Sequence, residues 1–213
     1  MSNDNSGEPK SKVNEYSLFP TKIWHLRLPS HVREQIKKEV APSIIQEKTS
    51  SAVFIDYESG WWVTRRDMHE QPEFEQISKI VLAASGQSFL LGVKNLKKTA
   101  VIKSLWARAD GPNARPEPSR SPNSFMTGVY CLEGEPQVCK LLFDDPRPGM
   151  SLVSFDTVWP RVVENTAIQI LPGDLVIFPS ALGYRLPHND TKSDRVYVFF
   201  EIVLEAVKEN EKA

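Results

Sequence analysis

The stretch Pro172-Gly-Asp-Leu-Val-Ile-Phe-Pro-Ser-Ala-Leu-Gly-Tyr184, followed by Arg195-Val-Tyr-Val-Phe-Phe-Glu-Ile-Val203, decides the fold class. Asp174–Phe178 and Arg195–Val203 are short runs of β-branched and aromatic residues bounded by Gly, Pro, Asn or Asp, which is the composition of strands. Thr99–Trp106, Phe125–Leu132, Val138–Phe143 and Ala167–Leu171 have the same character. Ahead of them the pattern is helical. Val32, Ile36, Val40 and Ile44 recur at four-residue steps behind Ser30, a good capping residue, and Pro42 is expected to kink or end that helix. A second helix is expected from about Glu73, with Ile77, Ile80, Val81 and Ala84 on one face. Ser17–Trp24 reads as a short apolar strand. Helices followed by many short strands predict an α+β chain whose second half is a sandwich or jelly roll, with the helices padding its outside. Residues 1–14 read as a disordered arm, 15–206 as one domain, and 207–213 as a charged tail.

Composition narrows the function classes. Lys and Arg number 26 against 27 Asp and Glu, a balance that gives no broad electrostatic case for nucleic acid or an anionic membrane surface. The polar start, Met1 to Asn14, has no apolar run to serve as an export signal, and no stretch approaches the roughly 18–20 apolar residues of a membrane helix. A cytoplasmic location is the expectation. The two cysteines, Cys131 and Cys139, flank Gly134 and Pro136 and could face each other across a hairpin. Without an export signal they read as reduced core residues.

Four segments carry a more specific signal: Trp106-Ala-Arg-Ala-Asp-Gly-Pro-Asn113, Ser119-Arg-Ser-Pro-Asn-Ser-Phe-Met-Thr-Gly-Val-Tyr-Cys-Leu132, Leu142-Phe-Asp-Asp-Pro-Arg147, and Pro172 to Tyr184 leading to Arg195. Phe19-Pro-Thr-Lys-Ile-Trp24 and Trp62-Val-Thr-Arg-Arg-Asp-Met-His-Glu-Gln-Pro-Glu-Phe74 join them upstream. In order and spacing they resemble the 2-oxoglutarate/iron(II) oxygenases of marine bacteria and phages, prolyl-hydroxylase-like proteins. The resemblance covers most of residues 17–203. It implies a double-stranded β-helix, the cupin-like jelly roll, in which two histidines and a carboxylate (in some branches a third histidine) hold Fe(II) and an arginine grips the keto acid's far carboxylate. It places the first ligands just before Pro122-Asn123-Ser124 and the distal histidine after Phe178-Pro179-Ser180. This sequence has Ser119 and Ser121 at the first place and Tyr184 at the second. Arg195, eleven residues after Tyr184, matches the arginine in kind and spacing.

Neutral hydroxyls are poor iron(II) ligands, and a phenol with a reference pKa of about 10 binds only as phenolate. The resemblance therefore implies a degenerate member, with Fe(II) not expected and no cofactor required. A ligand such as 2-oxoglutarate or another small carboxylate remains open, held by Arg195 and Arg108. Arg108 shares a strand face with Trp106, although a pairing with Asp110 explains it equally. Strand alternation turns Arg120 and Arg185 away from Ser121 and Tyr184. Three readings follow: a non-catalytic pseudo-oxygenase binding a small anion or a protein partner, a dioxygenase whose metal site is rebuilt from His69, His188 and a carboxylate, and a structural subunit whose pocket is filled by Tyr184 and Trp106. His25 and His31 lie far from the motif, and the oligomeric state is not fixed.

Overall fold

The structure is a computed structural model of the 213-residue chain and describes residues 21–48, 54–56, 58–86, 98–146 and 165–206. The residues read as arm and tail, 1–14 and 207–213, lie outside these. So do Ser17–Pro20, and the expected N-terminal strand is seen only as β1, Trp24–Arg27. Helix α1, Ser30–Lys48, follows. Then come β2 (Phe54–Asp56), β3 (Trp61–Val63), two single 3-10 turns at Met68–Glu70 and Pro72–Phe74, and α2 (Glu75–Ser85). The remaining elements are strands: β4 (Lys98–Asp110), β5 (Met126–Glu133), β6 (Lys140–Asp144), β7 (Asn165–Gln169), β8 (Asp174–Pro179), β9 (Tyr184–Arg185) and β10 (Arg195–Ala206).

The strands form two antiparallel sheets, of order β1-β8-β5-β10-β4-β3-β2 and β7-β6-β9. This is the expected double-stranded β-helix. β4 and β10 pair along their whole length with one bulge between Glu201 and Ile202. Alternation assigns each face of β10. Val198, Phe200 and Ile202 join a core shared with Ile36, Val40 and Ile44 of α1 and Ile77 and Val81 of α2. Tyr197 and Phe199 join Val129, Val176, Phe178 and Tyr184 in a second core between the sheets. Both faces are buried, so these strands read in the sequence as nearly continuous apolar runs. The helices do pad the outside of the large sheet.

Pro42 does not end α1, which runs on to Lys48. An interior proline costs roughly 3 kcal/mol. Ile36, Val40 and Ile44 are almost fully buried on either side of it, each contributing roughly 1.5–3 kcal/mol. Packing therefore outweighs the break, and Pro42 itself is exposed, so the carbonyl it leaves unbonded can meet water. Gly128 is required by close approach: a Cβ there would lie 2.0 Å from Phe200 Cζ and 2.7 Å from the Val176 carbonyl oxygen. The β5–β6 connection crosses from one sheet to the other instead of forming a simple hairpin, yet it still sets the free Cys131 and Cys139 sulfurs 3.8 Å apart in the core. Among the described residues no helix is long and apolar enough to cross a membrane.

Candidate functional site

A cavity of about 470 Å³ opens beside the second core, and its wall includes Ser119, Ser121 and Tyr184. The backbone brings them together. The Ser119 amide donates to the Tyr184 carbonyl at 2.7 Å, and the Tyr184 amide returns the bond to Ser119 at 3.1 Å. The Ser121 amide donates to the Ser180 carbonyl at 3.4 Å. Tyr184 is 5% exposed, with its ring edge-on to Phe178 at 5.1 Å and stacked with Phe199 at 6.0 Å. Burial pushes its phenol up to about 12. At neutral pH these three positions offer two neutral alcohols and a neutral phenol, a donor set that does not fit iron(II).

The histidines stand elsewhere. His25 lies 3.1 Å from Asp174 on the β1–β8 edge, His31 is exposed on α1, His69 sits in the first 3-10 turn, and His188 is exposed. Among the described residues no group of three His, Cys, Asp or Glu side chains is placed to hold a metal.

Arg195 departs from the expectation of a ligand clamp. It is fully buried, and it does not line the cavity. Its Nε donates to Asp110 Oδ2 at 3.0 Å, Nη1 to the Val138 carbonyl at 2.9 Å, and Nη2 to the Pro187 carbonyl, with Nη2 also 3.0 Å from Asp110 Oδ2. The guanidinium thus bolts β4 to the β5–β6 crossing and to the chain after β9. Its donors are spent on protein groups, and a keto acid would have to displace them.

Arg108 meets both readings of it. Its Nε donates to Asp110 Oδ1 at 2.7 Å, yet it also lines the cavity. Its guanidinium lies over the Trp61 ring, 4.4 Å from the centroid, and its Nη2 is buried with no hydrogen-bond partner among the described residues. Sequence reasoning had assigned no role in the site to Trp61 or Arg66. Arg66 lies over the Trp106 ring at 4.1 Å, and its Nη1 is 3.8 Å from Glu201 Oε1, whose Oε2 accepts the Ser104 hydroxyl at 2.7 Å. Arg120 and Arg185 also line the cavity, contrary to the alternation argument. Residues 119–121 form a loop and β9 has only two residues, so neither follows a regular pleat. Among the described residues four arginines, Arg66, Arg108, Arg120 and Arg185, against Glu117 and Glu201 leave the wall cationic.

The only signal in the sequence for Trp61 and Arg66 was local clustering, Trp61-Trp62 after Gly60 and Arg65-Arg66 beyond. Their role depends on β3 pairing with β4, which sets Trp61 opposite Asp110 and Val63 opposite Arg108.

No protein-family model and no curated protein matches the chain. Solved structures do resemble it. The non-heme α-ketoglutarate-dependent epimerase SnoN from nogalamycin biosynthesis aligns with TM-score 0.63 at 10% identity, covering 86% of this chain and 78% of SnoN. AviO1 from Streptomyces viridochromogenes aligns with TM-score 0.59 at 16% identity over 86% of this chain and 90% of AviO1. A Pseudomonas putida prolyl-4-hydroxylase aligns with TM-score 0.53 at 12% identity over 85% of this chain and 92% of the hydroxylase. What is shared at such identity is the fold: this chain has the double-stranded β-helix architecture of the non-heme 2-oxoglutarate oxygenases.

Proposed function

We propose that this chain is a non-catalytic protein on an oxygenase scaffold, and that it binds a small anion in the cavity where an oxygenase would bind iron. The observation that carries the reading is the wall itself. Ser119, Ser121 and Tyr184, at the positions where the resemblance expects iron ligands, line one cavity together with Arg108 and Arg66. Two of the three supply only hydroxyls, and the third is a phenol held protonated by burial.

The electrostatics favour an anion. Asp110 is fully buried, carries one charge and faces two guanidiniums, Arg108 and Arg195. That trio has one positive charge in excess, offset in part by Asp56, whose carboxyl is held below its ordinary value by the Ser59 amide and, in smaller part, by Arg108. A carboxylate about 4 Å from a guanidinium gains roughly 4 kcal/mol at an effective dielectric of about 20, before either group's desolvation is counted. The tryptophan faces under Arg66 and Arg108 hold the guanidiniums flat, which lowers the ordering cost of binding.

The test is turnover. The purified chain, supplied with Fe(II), ascorbate, O₂ and 2-oxoglutarate, should form no succinate beyond the protein-free control. Iron-dependent succinate formation would overturn the proposal and return the chain to the active dioxygenases.

A further inference from the structure

We infer that the ligand of this cavity is a carboxylate carried on a flat, ring-sized apolar body, and that Arg108 holds the carboxylate. The inference rests on the anion-binding reading above and narrows it to a ligand class. Three observations on the cavity support it.

The first is the unused capacity of Arg108. Its side chain is 12% exposed, its Nε is committed to Asp110, and its buried Nη2 has no partner among the described residues. A guanidinium nitrogen buried without a hydrogen bond costs stability unless something supplies an acceptor. A carboxylate is the acceptor a guanidinium fork fits best. Arg195 does not compete for it, because it lies outside the cavity lining and each of its three guanidinium nitrogens already donates to Asp110, Val138 or Pro187.

The second is how the charges of Arg66 and Arg120 are countered, which leaves Arg108 and Arg185, whose Nε is likewise buried with no hydrogen-bond partner among the described residues, as the cations open to a ligand. Arg66 has Glu201 at 3.8 Å. Arg120 and Asp144 both reach the space beside Gly183, with Arg120 Nε 3.2 Å and Asp144 Oδ2 2.8 Å from where a Cβ would be built on it. A second carboxylate on the ligand would meet Glu201 or Glu117 on the same wall.

The third is the apolar lining. Trp61, Trp106, Tyr184, Leu186 and Phe199 surround the arginines, and Trp106 stacks with Phe199 at 5.6 Å. At about 470 Å³ the space is far larger than a bare anion needs. It falls in the range of roughly 300–1,000 Å³ usual for drug-sized ligands. Indole and phenol faces favour a ring in stacked or edge contact.

The experiment is calorimetric titration of the full chain with phenylacetate, acetate, 2-oxoglutarate and inorganic phosphate. Phenylacetate should bind at least about tenfold more tightly than acetate, because only it buries a ring. It should also bind more tightly than 2-oxoglutarate or phosphate. Arg108→Gln should weaken phenylacetate at least about tenfold, and Arg108→Lys should weaken it less. The comparison among probes uses the unaltered chain, so it decides the ring-body claim even if a variant misfolds. Equal affinity for acetate and phenylacetate, or tighter binding of phosphate or 2-oxoglutarate, would overturn the inference and leave the anion site standing. A folded Arg108→Gln that keeps its phenylacetate affinity would overturn the role of Arg108. Failure of all four probes would overturn both this inference and the anion-binding reading.

Discussion

Replacing Arg195 with methionine tests whether this arginine is structural or ligand-directed. Methionine keeps much of the length of the side chain and removes the guanidinium. The structure gives that group one buried carboxylate and two carbonyls as partners, and Asp110, its carboxylate, is also fully buried. Breaking a buried ion pair by removing one partner costs roughly 3–5 kcal/mol. Arg108 stays on Asp110 and moderates the loss, while the Val138 carbonyl, left in a buried stretch, adds roughly 1–3 kcal/mol. A total near 4 kcal/mol is expected, against a whole-domain stability of roughly 5–15 kcal/mol. At roughly 2–4 °C per kcal/mol for a chain of this size, the midpoint should fall by about 8–16 °C. Urea unfolding followed by circular dichroism measures the loss directly. The double variant Asp110→Asn with Arg195→Met should be less destabilised than the sum of the two singles by more than about 1 kcal/mol, since the partners touch. A loss under about 1 kcal/mol for Arg195→Met, or simple additivity, would refute the structural role. It would restore Arg195 as a residue kept for a ligand.

Gly128→Ala should cost at least about 1–3 kcal/mol in a thermal melt, because its Cβ would overlap Phe200, which is fully buried and has no room to yield; an unchanged midpoint would mean that β5, β8 and β10 are packed otherwise. Burial raises Tyr130 and Tyr184 to about 12 and Tyr197 well above 10. The unfolded chain ionises these phenols first, so their contribution is intact below pH 10 and is lost as pH rises from 10 toward 12. Absorbance titration should show their ionisation arriving with unfolding, and full ionisation near pH 10 with the fold intact would contradict their burial. Cys131 and Cys139 are buried free thiols, so a bulky maleimide should label neither in the native chain and both in urea; rapid native labelling would count against the inter-sheet core.

The long strands were legible because their side chains alternate between two buried faces, which leaves apolar runs bounded by turn residues. The helical stripe Ile36, Val40, Ile44 was legible for the same kind of reason. β2, β3 and β9 were not, since two or three residues carry no period. The cavity wall of Ser119, Ser121 and Tyr184 followed from the resemblance and its spacing. Arg195 shows where spacing stops informing. The sequence identifies the residue type and its place on the strand, but not that Asp110, 85 residues away, satisfies it. Arg66 went unnoticed because its significance lies in a ring, Trp106, contributed by a different strand. Pairing partners distant in sequence are set by the closed fold as a whole, and local pattern holds no record of them.

The central claim, an oxygenase fold without an iron site, is tested most directly by titrating the metal-free chain with Mn(II) as a stand-in for Fe(II), then with 2-oxoglutarate in its presence and absence. The account predicts no Mn(II) heat at micromolar concentration and no effect of the metal on 2-oxoglutarate. Stoichiometric Mn(II) binding that creates or tightens a 2-oxoglutarate site would contradict it.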